Sequence, residues 1–416
     1  MRYQKIDSKL FILNRQKFME KMESNSMAIF CANSQMPTNA DGTMGFIQNS
    51  NFFYFSGIDQ EESYLVISKK DQKEILFVLE TNEHLKIWEG EKLSPKEATE
   101  HSGIKTVKYS HTFWDFIKKE IPLHSIIYLH HDEQMGTLTD FKTKERFLID
   151  TIKDKFPLHS LKRAVEISHP LRIIKQKEEI ELIKKSIEIS KKGFERAAKN
   201  IKAGIFEFEL EAELSYEFIR NGSRYHAFAP IIASGKNACV LHYIQNDSKL
   251  NSGDTVLMDF GAEYANYKAD VTRVLPINGK FSKRQSEVYN AVLSVLKQTK
   301  TMMVKGNTLE NLKKDAKEIL GEELRKLKLI KDKNEIQQYF PHGVSHFLGL
   351  DVHDVGNQNT IFEPGMLLTC EPGIYIREEN LGIRLENDIL ITENGNIDLM
   401  EDFPIEIEEI EELTKK

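Results

Sequence analysis

Two aspartates, Asp259 and Asp270, lie in the stretch TVLMDFGAEYANYKADVTR, Thr255 to Arg273, each in its own short apolar run. Such runs around a polar middle read as a two-stranded antiparallel ribbon with its loop near Glu263 to Ala265. A symmetric loop there sets the two carboxylates side by side on neighbouring strands. Like charges that close repel strongly unless a cation neutralises them. The pair is therefore either a metal-binding element or two solvated turn residues.

Four further segments carry residues that suit the first reading. HGVSHFLGLDVH places His342, His346 and His353 among glycines; a single helical turn would put His342 and His346 on one side. In LTCEPGIYI, Glu371 ends an apolar run against the rigid Pro372–Gly373 turn. In GIRLENDILIT, alternation puts Arg384, Glu386 and Asp388 on one face. A glutamate in such a strand must be solvated, salt-bridged or metal-bound, and Arg384 is its candidate ion-pair partner. VLHY carries His242 next to a tyrosine in an apolar segment read as a strand, Cys239 to Tyr243. One histidine and four carboxylates can hold metal. Four ionised carboxylates bring −4, and two divalent ions with a bridging hydroxide leave −1, which one arginine can offset. Two ions about 3.5–4 Å apart also activate water and polarise a substrate oxygen together. An oxygen-rich set with one imidazole favours Mn2+ or a similar hard ion over structural zinc.

These segments need a frame to hold them. The chain has 416 residues and a formal charge of −7, length enough for two or three domains. It has no long basic patch, which argues against nucleic acid as the partner. Three scattered cysteines, Cys31, Cys239 and Cys370, form no disulfide framework. The start lacks a secretory apolar core and no run approaches the ~18 apolar residues of a membrane helix, so the expected compartment is the cytoplasm. The first part reads as α/β. It has strands at Met27–Phe30, Tyr64–Ser68, Glu74–Leu79 and Ser125–Leu129, and an amphipathic helix over Lys142–Lys155 facing inward through Phe147, Leu148 and Ile152. The aromatic run NFFYF is core or an interface. Pro170 biases His169 away from helix and marks a boundary, dividing the chain into domains 1–167 and 168–416. Helices follow at Lys177–Lys202, Glu207–Arg220, Ser282–Val304 (capped by Ser282 with Gln285 reciprocating) and Leu309–Leu327. Ile231–Ala233 is a further strand, and the tail EDFPIEIEEIEELTKK alternates at first like an edge strand.

The ordered set VLHY, DFGAEYANYKADVTR, HGVSHFLGLDVHD, EPGIY and IRLENDILIT closely resembles the aminopeptidase P branch of the pita-bread metallopeptidases, and ADGTMGFIQNSNFFYFSGIDQEESYLVI resembles its N-terminal part. The resemblance implies an N-terminal α/β domain followed by a pita-bread catalytic domain, a curved antiparallel sheet flanked by helices in two pseudo-equivalent halves. It implies a metal set of Asp259, Asp270, His346, Glu371 and Glu386, with Asp270 and Glu386 bridging two divalent ions. Glu371 would move protons, while His242 and His353 would steady substrate and tetrahedral intermediate. His342 would adjoin the proline pocket and Arg384 would support the ligands. Phe228 stands where relatives often carry tyrosine, which removes one hydroxyl from the substrate's surroundings. The implied activity is release of the first residue from peptides with proline second. A prolidase limited to Xaa-Pro dipeptides and a metal-free peptide-binding module are the alternatives. Family members form dimers or tetramers, with Asp41 and the NFFYF run as candidate contacts.

Overall fold

The computed structural model describes residues 2–131 and 142–415. It divides into two compact units, Tyr3–Arg172 and Ile173–Lys416.

The first unit runs α1 (Lys9–Lys21), β1 (Ser26–Cys31), α2 (Ser50–Ser56), β2 (Tyr64–Ser68), β3 (Lys73–Val78), α3 (Glu83–Trp88), α4 (Pro95–Ser102), β4 (Thr106–Tyr109), α5 (Phe113–Glu120), β5 (Ile126–Leu129), α6 (Lys144–Lys155), β6 (Ser160–Arg163) and α7 (Val165–Arg172). Its six strands form one mixed sheet in the order β4-β3-β2-β1-β5-β6. The aromatic run forms α2, capped by Asn49, whose side chain accepts from the Phe52 N–H. Phe52, Phe53, Tyr54 and Phe55 are all buried, so this run is core rather than a free interface. Two expectations fail here. Phe147 is 58% exposed, and α6 packs on the core through Leu148 and Ile152, with Ile149 beside them. His169 is helical, since α7 continues through Pro170; burial of Ile167, Ser168 and Arg172 overrides the local bias.

The second unit begins with α8 (Lys177–Asn200) and α9 (Glu207–Arg220), antiparallel helices fitted to each other where Gly193 lies under Phe218 and Leu214. Next come β7 (Ile231–Ser234), β8 (Thr255–Phe260), β9 (Glu263–Tyr264), β10 (Tyr267–Lys268) and β11 (Val271–Pro276). Two long helices, α10 (Lys283–Met302) and α11 (Leu309–Lys326), and the short α12 (Ile336–Tyr339) precede β12 (Leu367–Cys370), β13 (Gly373–Ile376), β14 (Leu381–Arg384), β15 (Asn387–Thr392), β16 (Gly395–Asp398) and α13 (Ile407–Leu413). The Ser282–Gln285 capping box at α10 is present. Among the described residues, no helix is long and apolar enough to cross a membrane.

Three local expectations are corrected. Cys239–Tyr243 is not a strand: a 3-10 turn over Gly235–Cys239 leads into irregular backbone. His342–His353 is not helical, because Val344–Leu348 lies extended along β12, with Thr369 N–H donating to His346 and Glu371 N–H to Val344. His342 and His346 still share a side, since residues four apart also coincide in an extended chain. The tail forms no edge strand: residues 401–406 are turn and irregular backbone, and Ile407–Leu413 is helix. Ile410 and the C-cap residue Thr414, four apart, are buried, and Glu409 accepts from the N–H groups of Ile405 and Glu406.

Two hairpins carry the acidic residues. In the first, β8, β9, β10 and β11 share one register, from Thr255 opposite Pro276 to Tyr264 opposite Tyr267. The turn is Ala265–Asn266, both at positive φ (54° and 67°), the backbone of a type I′ turn. The turn lies further along than the sequence suggests, so Asp259 faces Thr272 instead of Asp270. By the same register Asp270 faces Gly261, where a Cβ would meet the Ala269 carbonyl at 1.8 Å. Asp259 and Asp270 thus share a face as diagonal neighbours. In the second hairpin, Cys370 faces Asn387 and Gly373 faces Arg384. Carrying that register across the gap puts Glu371 directly opposite Glu386, where the ladder is broken.

Candidate metal centre and substrate cleft

Both hairpins turn carboxylates into one cleft of about 490 Å³, lined by Phe228, His242, Asp259, Asp270, His342, His346, His353, Glu371, Arg384 and Glu386, whereas Asp388 and Asp41 do not line it. Asp270, His346 and Glu386 offer ligand atoms that all lie within 4.8 Å of one another. His346 Nε2 lies 3.4 Å from Asp270 Oδ2 and 3.8 Å from Glu371 Oε1. Its Nδ1 is 3.1 Å from the Phe347 carbonyl; donating there leaves Nε2 as a free lone pair.

This geometry is costly for protein groups alone. Like charges directly opposite on a sheet destabilise it, yet Glu371 and Glu386 stand so. Burial first, then Glu386 and Asp259, holds the Asp270 carboxyl well above the ordinary range. Burial and then Glu386 do the same to Glu371. Burial and then Asp259 push Glu386 up to about 7. Asp259 Oδ1 and Asp270 Oδ1 are shielded from solvent and accept no hydrogen bond. Oxygen donors with lone pairs that accept no hydrogen bond, converging on one imidazole, fit a hard divalent cation.

Arg384 does not pair with Glu386 as expected. Its Nη2 bonds Asp259 Oδ2, its Nε donates to Thr272 Oγ1 at 3.2 Å, and its Nη1 donates to Tyr375 Oη at 2.9 Å. Thr272 in turn donates to Glu386 Oε2 at 2.6 Å. Arginine only donates, so the Tyr375 oxygen accepts and its proton goes to His342 Nε2, 2.8 Å away. His342 Nδ1–H then faces the Gly343 carbonyl at 2.6 Å. Burial first, then Arg384, lowers His342 to about 3, so it stays neutral in this chain.

Thr272 and Tyr375 were not picked out from the sequence. Both lay inside segments already quoted, but an ordinary hydroxyl gives no signal until its register is known. Arg273 was also missed. This fully buried guanidinium donates to the carbonyls of Pro404 (2.7 Å), Thr272 (3.0 Å) and Glu386 (2.7 Å) and to Asn387 Oδ1 (2.8 Å). It holds the backbone of Glu386 from behind the cleft. Arg273→Met should cost roughly 2–4 kcal/mol, because buried carbonyls lose their donors. Thermal unfolding would register this as a fall of several degrees in Tm, and an unchanged Tm would contradict it.

Paired acidic hairpins around one imidazole, within a curved antiparallel frame flanked by helices, define a metal-dependent hydrolase of pita-bread architecture. Residues 181–393 match the model of metallopeptidase family M24, and residues 11–128 match the aminopeptidase P N-terminal domain. The chain is 32% identical to Xaa-Pro aminopeptidase of Escherichia coli over 97% of both chains. A Bacillus anthracis structure described as an aminopeptidase P aligns with TM-score 0.95 and 37% identity over 98% of both chains. Aminopeptidase P from E. coli with the inhibitor Pro-Leu aligns with TM-score 0.88 and 32% identity over 99% of both. The chain belongs to metallopeptidase family M24, as a metallo-aminopeptidase of the aminopeptidase P type.

Proposed function

We propose that the protein releases the N-terminal residue from peptides with proline in second position, using two divalent ions, Mn2+ in preference to zinc. The observation that carries this is the face-to-face placement of Glu371 and Glu386 beside Asp270 and His346, an arrangement that ionised carboxylates disfavour unless a cation neutralises them. Asp259, Asp270, His346, Glu371 and Glu386 would hold the ions, with Asp270 and Glu386, which converge with His346, as the candidates for shared ligands. Bound there, the ions supply Lewis acidity and water made nucleophilic near neutral pH.

The remaining chemistry belongs to side chains. Asp259 attracts the free amino terminus of the peptide. Glu371 takes the proton of the attacking water and gives it to the proline nitrogen as that C–N bond breaks. His353 and His242 steady the oxygen that gains charge. Proline's tertiary amide has no N–H to recognise, so its ring is selected by shape. His342, locked between Tyr375 and Gly343, offers one wall. Phe228, Leu241 and Ile244 line the apolar side of the cleft. Phe228 brings no hydroxyl, and Phe228→Tyr should lower KM by a few-fold with kcat little changed. An unchanged KM would mean that this position makes no polar contact to substrate.

The deciding experiment strips the protein of metal, reloads it with Mn2+ and offers Ala-Pro, Ala-Pro-Ala and a longer Xaa-Pro peptide, with products read by mass spectrometry. Release of only the first residue from the tripeptide and the longer peptide supports this reading. Cleavage of Ala-Pro alone makes the protein a prolidase. Mn2+ bound without any cleavage would leave the fold in place and remove this substrate assignment, and failure to bind Mn2+ would favour the metal-free peptide-binding module. We further propose a homodimer or homotetramer acting in the cytoplasm. Light scattering after size exclusion would contradict the first by showing a monomer, and fractionation with membranes or outside the cell would contradict the second.

Metal dependence has a pH signature. Without metal the folded-state Glu386 carboxyl sits at about 7, above its unfolded value. Its contribution to stability is therefore present below the unfolded pKa and lost as pH rises through about 7. Metal binding requires the ionised form and displaces that proton. The gain in Tm on adding Mn2+ should grow between pH 5.5 and 7.5. A gain independent of pH would show that protons and metal do not compete here.

A further inference from the structure

His353 is exposed and sits on irregular backbone, yet the reading above asks it to meet a reacting oxygen. Its immediate neighbour is anchored in an unusual way. Asp354 Oδ2 accepts from Lys175 Nζ at 2.8 Å, and the two side chains are only 2% and 1% exposed. Lys175 stands just before α8, and its backbone N–H donates to the Gly365 carbonyl at 2.8 Å, next to β12. The Asp354 N–H donates to the Phe347 carbonyl, one residue past His346. Gly349 makes room for the pair: a Cβ there would meet Asp354 Oδ2 at 2.2 Å and Lys175 Cε at 2.9 Å. The Gly349 carbonyl accepts from Lys268 N–H at 2.9 Å, tying the loop to the first acidic hairpin. Beside it, Tyr267 Oη donates to Glu179 Oε1 at 3.0 Å.

Burying an ion pair rarely adds stability, because desolvation offsets the attraction. Its use here is to define one geometry. We propose that Lys175 and Asp354, seated over Gly349, are positioning residues that hold His353 at the mouth of the cleft. The inference rests on the role given to His353 above. Neither residue of the pair lines the cleft. The pair acts by fixing the backbone from which the His353 imidazole projects, its ring edge-on to that of His346 at 4.4 Å between centroids, and a displacement of about 1 Å at a reacting group can cost ~10²-fold in rate.

A double-mutant cycle on the metal-loaded enzyme tests this. The double variant Lys175→Met with Asp354→Asn removes both charges together, so neither is left buried alone. Gly349→Ala disturbs the pair without removing a charge, and decides the matter if the neutral pair does not unfold cooperatively. Each is measured in the parent and in a His353→Ala background, with bound metal counted. The expected result is a 10- to 100-fold loss of kcat in the parent, less than a 3-fold further loss in the His353→Ala background, and full metal content throughout. An equal loss in both backgrounds, or no loss in the parent, overturns the positioning role while leaving the peptidase reading intact. Parental turnover by His353→Ala itself overturns the role given to that histidine, and the positioning role falls with it. Absence of Xaa-Pro cleavage in the parent is a separate outcome that overturns the proposed function and, with it, the positioning role.

Discussion

Glu371→Gln, purified with its full complement of metal, is expected to turn over substrate at least ~10³-fold more slowly than the parent. The replacement keeps size and one oxygen donor but removes the group that can accept and return a proton. General acid–base catalysis is worth about 10²–10⁴ in rate, and a proline nitrogen leaving without protonation is a poor leaving group. The local setting points to this residue. Glu371 directly follows β12, opposite Glu386, with His342 Nδ1 3.7 Å and His346 Nε2 3.8 Å away. Its sister carboxylates have more rigid partners: Asp259 is bonded to Arg384, and Glu386 accepts from Thr272. Steady-state kinetics and metal analysis on the same sample make the check. Turnover within tenfold of the parent, with both ions present, would remove proton transfer from Glu371 and leave it as a ligand only.

Asp270→Asn should produce opposite effects on stability and activity. Asp270 lies at the meeting point of the two hairpins, with its backbone N–H 3.3 Å from Asp388 Oδ2 and its side chain near His346. In the metal-free protein its pKa is raised by burial, Glu386 and Asp259, so at neutral pH ionising it costs stability. A neutral amide relieves that cost, and the metal-free variant should be more stable than the metal-free parent by about 1–3 kcal/mol. The same change removes a proposed shared ligand. The Mn2+-dependent rise in Tm should shrink to near zero and turnover should fall by 10³-fold or more. A variant less stable than the parent without metal would show that the aspartate is held by hydrogen bonds rather than by a cation. A retained Mn2+ response would move the shared-ligand role elsewhere.

Much of this site is legible in the chain because each acidic or imidazole group sits in a short, unusual segment. A carboxylate inside an apolar run, as at Asp259 or Glu386, has few innocent explanations. The long helices were equally clear, since α8 and α9 repeat at helical spacing and α10 carries its own capping box. Pairing was not legible. Whether Asp259 faces Asp270 or Thr272 depends on where a two-residue turn falls, and Ala265–Asn266 lacks the glycine that usually marks one. Nor could the opposition of Glu371 and Glu386 be read, because it spans the unpaired residues between two strands. The second-layer groups Thr272, Arg273, Tyr375 and Lys175 are common residue types whose meaning comes from distant partners. The acidic tail misled for a related reason: short alternation resembled a strand until packing selected the helical face through Ile410.

The second acidic hairpin also bears on how this chain can change in length. Its outer end, Arg377 to Asn380, is a surface 3-10 turn between β13 and β14, midway between Glu371 and Glu386. Residues added at that tip lengthen the loop while both arms stay paired, so the opposed carboxylates remain in place. A single residue removed from one arm would instead shift every pairing between it and the tip and turn the affected side chains to the other face. Insertions and grafted peptides should therefore be tolerated at the tip and excluded from the arms, making Arg377–Asn380 a place where new binding sequences could be displayed without rebuilding the catalytic centre.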